Sequence, residues 1–230
     1  MSPRPKRTDQ HPNLEEAIKD TAWKQIAKSG GASLSLRAIA RELGITAPAI
    51  YNYFPDRDAL VTTLIIDAYT SFGDWQIEAR DAVPAEELPK RLLATGLAYR
   101  NWALTYPQRY QLIFGTPIPG YEAPLEKVLP SAVRSLSALV SVIEGLRASG
   151  KLNAPDFPEV TQEYKVTFEA WKDYGDKAEL LSLSVAVLIW AHVHGIVSLE
   201  IAGNLPPFGA DGQGLYMYEM ELLKRKFIKD

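Results

Sequence analysis

Residues 36–54, LRAIARELGITAPAIYNYF, read as two short helices joined by a glycine turn. Ile39, Ala40 and Leu43 share one face of the first helix, and Gly44 follows it, where a positive φ costs glycine nothing. Ile45 is placed to pack under the turn, Thr46 to cap the second helix, and Ile50 and Tyr53 to face back inward. Ala40 is small where the second helix would cross the first. This is the pattern of a helix-turn-helix, whose second helix enters the major groove of DNA. The outward residues of that helix are Ala47, Pro48, Tyr51 and Asn52.

Outward from this core the pattern is helical almost throughout, with no run of period-two alternation. A first helix is predicted over about 13–29, with Leu14, Ala17, Ile18, Ala22, Ile26 and Ala27 on one side. Pro55 ends the recognition helix, and Asp56 is a good N-cap for a long helix over about 57–82 carrying Leu60, Leu64, Ile65, Ala68 and Phe72. Further helices are predicted over about 88–105, 107–114, 125–149, 159–172, 177–202 and 215–228. The segments GTPIPGYEAP, GKLNAPDFP and GNLPPFGADGQG separate them as loops.

Composition narrows the class. The 230 residues are 47% apolar and 23% charged, ordinary for a globular chain long enough to bury a core. There is no cysteine, which excludes disulfides, thiol catalysis and cysteine-based zinc sites. The polar, basic start MSPRPKRTDQ does not resemble a secretory signal, so a cytoplasmic location is expected. The most apolar stretch, 180–202, includes Ser182, Ser184, His192, His194, Ser198 and Glu200, which suits a buried helix better than a membrane span. Net charge is −3, but residues 1–60 hold nine Lys or Arg against seven Asp or Glu, and the remainder is net acidic. A DNA-facing end fits this asymmetry. Arg4, Lys6 and Arg7 sit in a proline-containing tail that either enters a minor groove or stays in solvent.

The stretch GASLSLRAIARELGITAPAIYNYFPDRDAL, residues 31–60, resembles the DNA-binding domain of the tetracycline-repressor (TetR) family of bacterial regulators. NWALTYPQRYQLIFG (101–115) and WAHVHGIVSLEIAG (190–203) resemble the subgroup whose regulatory domain bears a Trp-x-x-x-His-Gly motif. Together these resemblances span nearly the whole chain. They imply that Thr46 bonds a phosphate or base edge and that Tyr51 and Tyr53 touch the DNA backbone. They also place Ala47, Pro48 and Asn52 at base edges or thymine methyls, with Arg37 a backbone contact. Arg57 stands where the family commonly has lysine, so charge is kept while the donor geometry changes. An amide such as Asn52 bonds adenine bidentately, or else meets phosphate or water.

A two-helix reader binds a half-site weakly, and dimerisation is the usual remedy. Val185, Ile189, Val193, Val197 and Ile201 form an apolar stripe on one late helix, and Leu215, Tyr218 and Leu222 on the last. The resemblance implies that these two helices pair with their copies in a four-helix homodimer bundle; the other reading is that the residues fill the core of one chain. Tyr99, Trp102, Tyr106, Tyr110, Phe114, Phe168, Trp171, Trp190 and His194 form an aromatic-rich set that either packs a core or lines a pocket for a small organic effector, with Tyr99, Arg100, Trp171 and His194 supplying polar tips. His192 and His194 stand roughly 200° apart around a helix and cannot share a metal. His194 and Ser198 are four apart, but that serine is expected to bond its own backbone, so no enzyme, metal or cofactor is expected. The expected architecture is all-α: a helix-turn-helix domain over 1–56, a connecting helix over about 57–82, and a ligand-binding and dimerisation domain over 83–230. The implied function is a homodimeric repressor released from a palindromic operator by a hydrophobic or aromatic effector, with an activator or a ligand-independent regulator left open.

Overall fold

The computed structural model describes residues 13–154, 158–159, 161–172, 178–206 and 212–229, without the side chains of 167 and 169–172. Among the described residues there are ten α-helices and no strand. They are α1 (Leu14–Ser29), α2 (Leu36–Glu42), α3 (Ala47–Tyr51), α4 (Arg57–Asp81), α5 (Leu88–Thr105), α6 (Pro107–Phe114), α7 (Leu125–Ala148), α8 (Gln162–Lys172), α9 (Leu180–Ile201) and α10 (Gln213–Phe227). The proline- and glycine-rich segments separate helices as expected. Pro130 sits inside α7 without ending it.

The helices form two compact units. The first comprises residues up to Ala68 together with Gln108–Val128. Asn13 caps α1 through its side chain, which accepts from the Glu16 amide at 3.3 Å. Ile18, Ala22, Trp23 and Ile26 bury the inner face of α1, whereas Ala27, expected there, is exposed and Trp23 fills the space instead. Asp56 accepts from the Ala59 amide at 2.7 Å and so starts α4, whose Leu60, Val61, Leu64 and Ala68 are fully buried. Lys19 on α1 joins α4 through Asp67 at 2.8 Å.

Residues 108–128 close the same core, although the sequence assigned them to the C-terminal half. Arg109 lies over the Trp23 ring at 5.1 Å, and Tyr121 Oη is 2.9 Å from Thr62 Oγ1. The segment also comes close to Gly31: a Cβ there would stand 2.9 Å from Ile118 Cδ1.

The second unit comprises Tyr69–Pro107 and residues from Leu129 onward. Its core includes Phe72, Leu92, Trp102, Ile143, Leu146, Ile189 and Leu223. Polar seams run between its helices. Gln76 Nε2 donates to the Ser135 carbonyl at 3.0 Å, and Trp102 Nε1 donates to Ser71 Oγ at 3.0 Å. Glu144 on α7 accepts from Ser182 Oγ at 2.6 Å and from the Glu179 amide at 3.3 Å, satisfying the start of α9 with a side chain from another helix.

The Arg147 guanidinium beside Glu144 pulls its carboxyl down to about 2, with Ser182 and the Glu179 amide adding to the effect. The depressed value means that the ionised carboxylate stabilises the fold fully above its ordinary value of 4.5, and that this contribution is lost as pH falls toward about 2. Glu144→Gln is expected to lower the denaturation midpoint at neutral pH, with the gap to the parent chain closing as pH falls through that window. Urea titrations at a series of pH values check this.

Candidate nucleic-acid interface

Helices α2 and α3 and the turn between them form over the predicted residues. Leu43, expected on the buried face of α2, is however half-buried as its C-cap, and Leu36 is buried in addition to Ile39 and Ala40. Ser35 Oγ accepts from the Ala38 amide at 3.4 Å and caps α2. Ile39 and Ala40 are buried on α2 and Ile50 on α3. Gly44 takes φ +65°, and the Ile45 amide returns to the Ala40 carbonyl at 3.0 Å, reversing the chain within one turn. Thr46 is the N-cap of α3, yet its hydroxyl makes no capping bond and stays on the surface. Pro48, Tyr51 and Asn52 are exposed, Ala47 is half-buried, and Arg37 is exposed in the first turn of α2.

Two expectations change here. Tyr53, expected to face inward, is 46% exposed, and Phe54 at 4% takes the inward place. The reason is that α3 ends at Tyr51, so helical spacing no longer applies and the closing turn brings Phe54 in, its amide bonded to the Ile50 carbonyl at 3.0 Å. Arg57, expected to face phosphate, points at its own unit: Nη2 donates to the Gly31 and Ala32 carbonyls at 3.1 and 3.2 Å. Lys6 and Arg7 lie outside the described residues.

In the second unit, Tyr99 and Trp102 are buried in an aromatic stack with α4. Phe72 meets Tyr99 at 5.0 Å and Trp102 at 4.8 Å, while Trp75 meets Tyr106 edge-on at 5.7 Å. Tyr99 Oη is 2.8 Å from His194 Nδ1, Ser198 Oγ is 3.3 Å from His194 Nε2, and the Trp190 ring stacks on His194. Burial pushes the His194 imidazole below its ordinary value. The Ser198 hydroxyl lies beside the histidine. Arg100 pairs with Glu200. Tyr99, Arg100 and His194, expected as polar tips for a ligand, are therefore engaged with other side chains, because helices distant in sequence supply partners that spacing cannot reveal. Phe72, expected only as part of the α4 stripe, and Trp75, one turn further along it, complete the aromatic group.

The other members of the aromatic set divide. Phe168 is buried against Tyr164 at 4.6 Å. Tyr110 and Phe114 pair with each other at 5.1 Å but belong to the first unit, apart from the group around Tyr99. The Trp171 side chain lies outside the described residues.

The stripe expected to meet a second copy is also redistributed. Val185, Ile189, Val193 and Val197 are buried within the single chain and Ile201 is half-buried, so these residues fill the core of their own unit. The face of α9 left in solvent holds Leu188, His192, Gly195 and Leu199. Helix α9 is apolar around its whole circumference, so composition could not tell its inner side from its outer. On α10, Leu215, Tyr218 and Leu222 are exposed.

Residues 18–64 match the profile of bacterial regulatory proteins of the tetR family, and residues 92–223 match that of the tetracyclin repressor-like C-terminal domain. The chain is 35% identical over 207 residues to the HTH-type transcriptional regulators Rv1816 of Mycobacterium tuberculosis and Mb1846 of Mycobacterium bovis, covering 90% of this chain and 87% of each relative. The chain belongs to the TetR family of bacterial regulatory proteins. Among solved TetR-like structures, the regulatory protein SCO4313 is 34% identical, with a TM-score of 0.75 over 96% of this chain and 98% of that one. A complex of SmeT with triclosan shares the fold at 14% identity and a TM-score of 0.61, covering 94% of this chain and 92% of that one.

As a TetR-family regulator the protein binds DNA, and α3 is the second helix of its helix-turn-helix. Arg57 holds the turn from which α2 starts. Arg57→Ala is expected to cost about 1 kcal/mol by removing a charged donor from two carbonyls. It should lower the melting temperature, whereas Asn52→Ala, which touches no core, leaves it unchanged. Thermal melts of the two variants check this.

Proposed function

We propose that this TetR-family protein is a homodimeric repressor that grips a palindromic operator and is released by a small hydrophobic or aromatic effector. The observation that carries the dimer is the exposed face around Gly195. Leu188, His192, Gly195 and Leu199 follow a four-three-four spacing along α9, and Leu215, Tyr218 and Leu222 a three-four spacing along α10. These are the seams of a heptad, which suits helices packed at shallow angles in a four-helix bundle. His192 Nδ1 and Glu219 Oε1, 2.8 Å apart, join the two helices beside the seams. A Cβ on Gly195 would meet nothing within 4 Å inside the chain. Glycine in mid-helix costs about 1 kcal/mol against alanine. The close approach of a second α9 supplies the reason for it that the single chain lacks.

Two readers then present α3 to half-sites about one helical turn apart, roughly 34–36 Å. Thr46, Tyr51, Tyr53 and Arg37 serve phosphates, which gives salt-dependent affinity, while Ala47, Pro48 and Asn52 read base edges. The effector reading rests on the aromatic cluster of Phe72, Tyr99, Trp102 and Tyr106, surroundings that would favour an apolar or aromatic ligand over a charged one. The triclosan bound by SmeT is a ligand of that kind in a protein of the same fold. Helix α4, unbroken from Arg57 to Asp81, is the natural carrier of the signal, because effector binding must favour one of two conformations to change operator affinity.

Gly195→Leu and Tyr218→Asp are expected to turn the dimer into a monomer while keeping the helical circular dichroism, and to weaken operator binding at least tenfold; sedimentation velocity and gel shifts measure both. Asn52→Ala should cost about 1–3 kcal/mol of discrimination at one base position. Binding selections from random duplexes read that change, and an equal loss on every sequence would reassign Asn52 to phosphate.

A further inference from the structure

Arg100 and Glu200 are oppositely charged side chains with only 6% and 9% of their surface exposed. Their contact is a two-pronged fork, Nε to Oε2 at 2.8 Å and Nη2 to Oε1 at 2.6 Å. The remaining valences are used as well. Arg100 Nη1 donates to Gln213 Oε1, and Glu200 Oε1 accepts from the Gly212 amide at 2.9 Å. Glu200 is the penultimate residue of α9, Gly212 caps α10, and Gln213 opens it. One cluster anchored on α5 therefore fastens the end of one helix to the beginning of the next.

The neighbouring residues add to the hold. Tyr216, a turn into α10, donates its hydroxyl to the Gly96 carbonyl, a turn before Arg100 on α5. A Cβ on Gly96 would stand 2.7 Å from Met220 Cε, so α10 lies close against α5 there. Tyr99, the residue before Arg100, bonds His194 in the middle of α9. Consecutive residues of α5 thus grip α9 at two points six residues apart.

Two buried charges gain little net stability over well-packed hydrophobic residues, so an apolar pair of similar volume forgoes little through the charges themselves, and its cost is the acceptor that Glu200 gives the Gly212 amide. What an apolar pair lacks is direction: the planar guanidinium accepts a carboxylate in few orientations. We infer that the Arg100–Glu200 pair is a latch that sets the register of α9 against α10, and with it the alignment of the exposed seams through which two copies associate. Because α5 also carries Tyr99 and Trp102, the latch joins the dimer face to the helix of the aromatic stack. This inference rests on the dimer reading. The Arg100 guanidinium holds the Glu200 carboxyl below the ordinary carboxylate range, in keeping with a pair that stays charged.

The test uses Glu200→Gln, which keeps the shape and loses the charge, Arg100→Lys, which keeps the charge and loses the fork, and the apolar double variant Arg100→Met/Glu200→Leu. Each is compared with the parent chain by thermal melting and by sedimentation velocity over a concentration series. The latch predicts a dimer dissociation constant raised at least tenfold in both single variants, with helical circular dichroism retained. It also predicts that the apolar double variant keeps its helical circular dichroism yet associates as poorly as the single variants. Should Glu200→Gln fail to fold, Arg100→Lys decides. Single variants that dimerise within twofold of the parent chain overturn the latch, as does a double variant that regains full dimer affinity, since the pair then only fills space. A parent chain that is monomeric at every concentration overturns the dimer reading and the latch with it.

Discussion

Helix α9 sets the terms for the second unit. Its 22 residues are apolar on every side, and a helix of that kind has no face suited to water. The chain packs α5, α8 and α10 against it and buries Val185, Ile189, Val193 and Val197. The opposite side keeps Leu188 and Leu199 exposed, with Gly195 between them. The polar devices around α9 read as fittings to this constraint. Glu144 satisfies its first turn, His194 is held at both ring nitrogens in its middle, and Glu200 is tied off at its end.

The same residue types do different work in the two units. In the first unit the helix-turn-helix is closed by small and branched residues, Ile39, Ala40 and Ile50, while Arg37, Thr46, Pro48, Tyr51 and Asn52 stay exposed. In the second unit, charged and aromatic side chains are drawn inward and satisfied by one another. Arg57 and Arg100 show the contrast. Arg57 steadies a surface turn through two neutral carbonyls, whereas Arg100 is matched to a buried carboxylate.

Much of the architecture was legible in the sequence because its signals are local. Gly44 at positive φ, Asp56 as a cap and the proline-rich breaks all act within a few residues, and helix ends therefore fell within a few positions of their predicted places. The readings that shifted depend on partners far along the chain. Nothing within a turn of Arg57 announces the Gly31 carbonyl, and nothing near His194 announces Tyr99. Tyr53 and Phe54 exchanged places because α3 is only five residues long, too short for a periodic rule to reach them. For α9 the failure was of another kind, since a helix without a polar side has no period to read.

The way residues 108–128 complete the first unit has a consequence for modular exchange. A graft that takes only the N-terminal 68 residues carries the reader away without Arg109, Ile118 and Tyr121, baring the Trp23 ring, the Gly31 turn and the Thr62 hydroxyl that they cover. The reader is thus discontinuous in the gene although compact in space. Recombination that swaps sensors between regulators of this build must either carry the second segment along or find a host whose own loop fits the same three places.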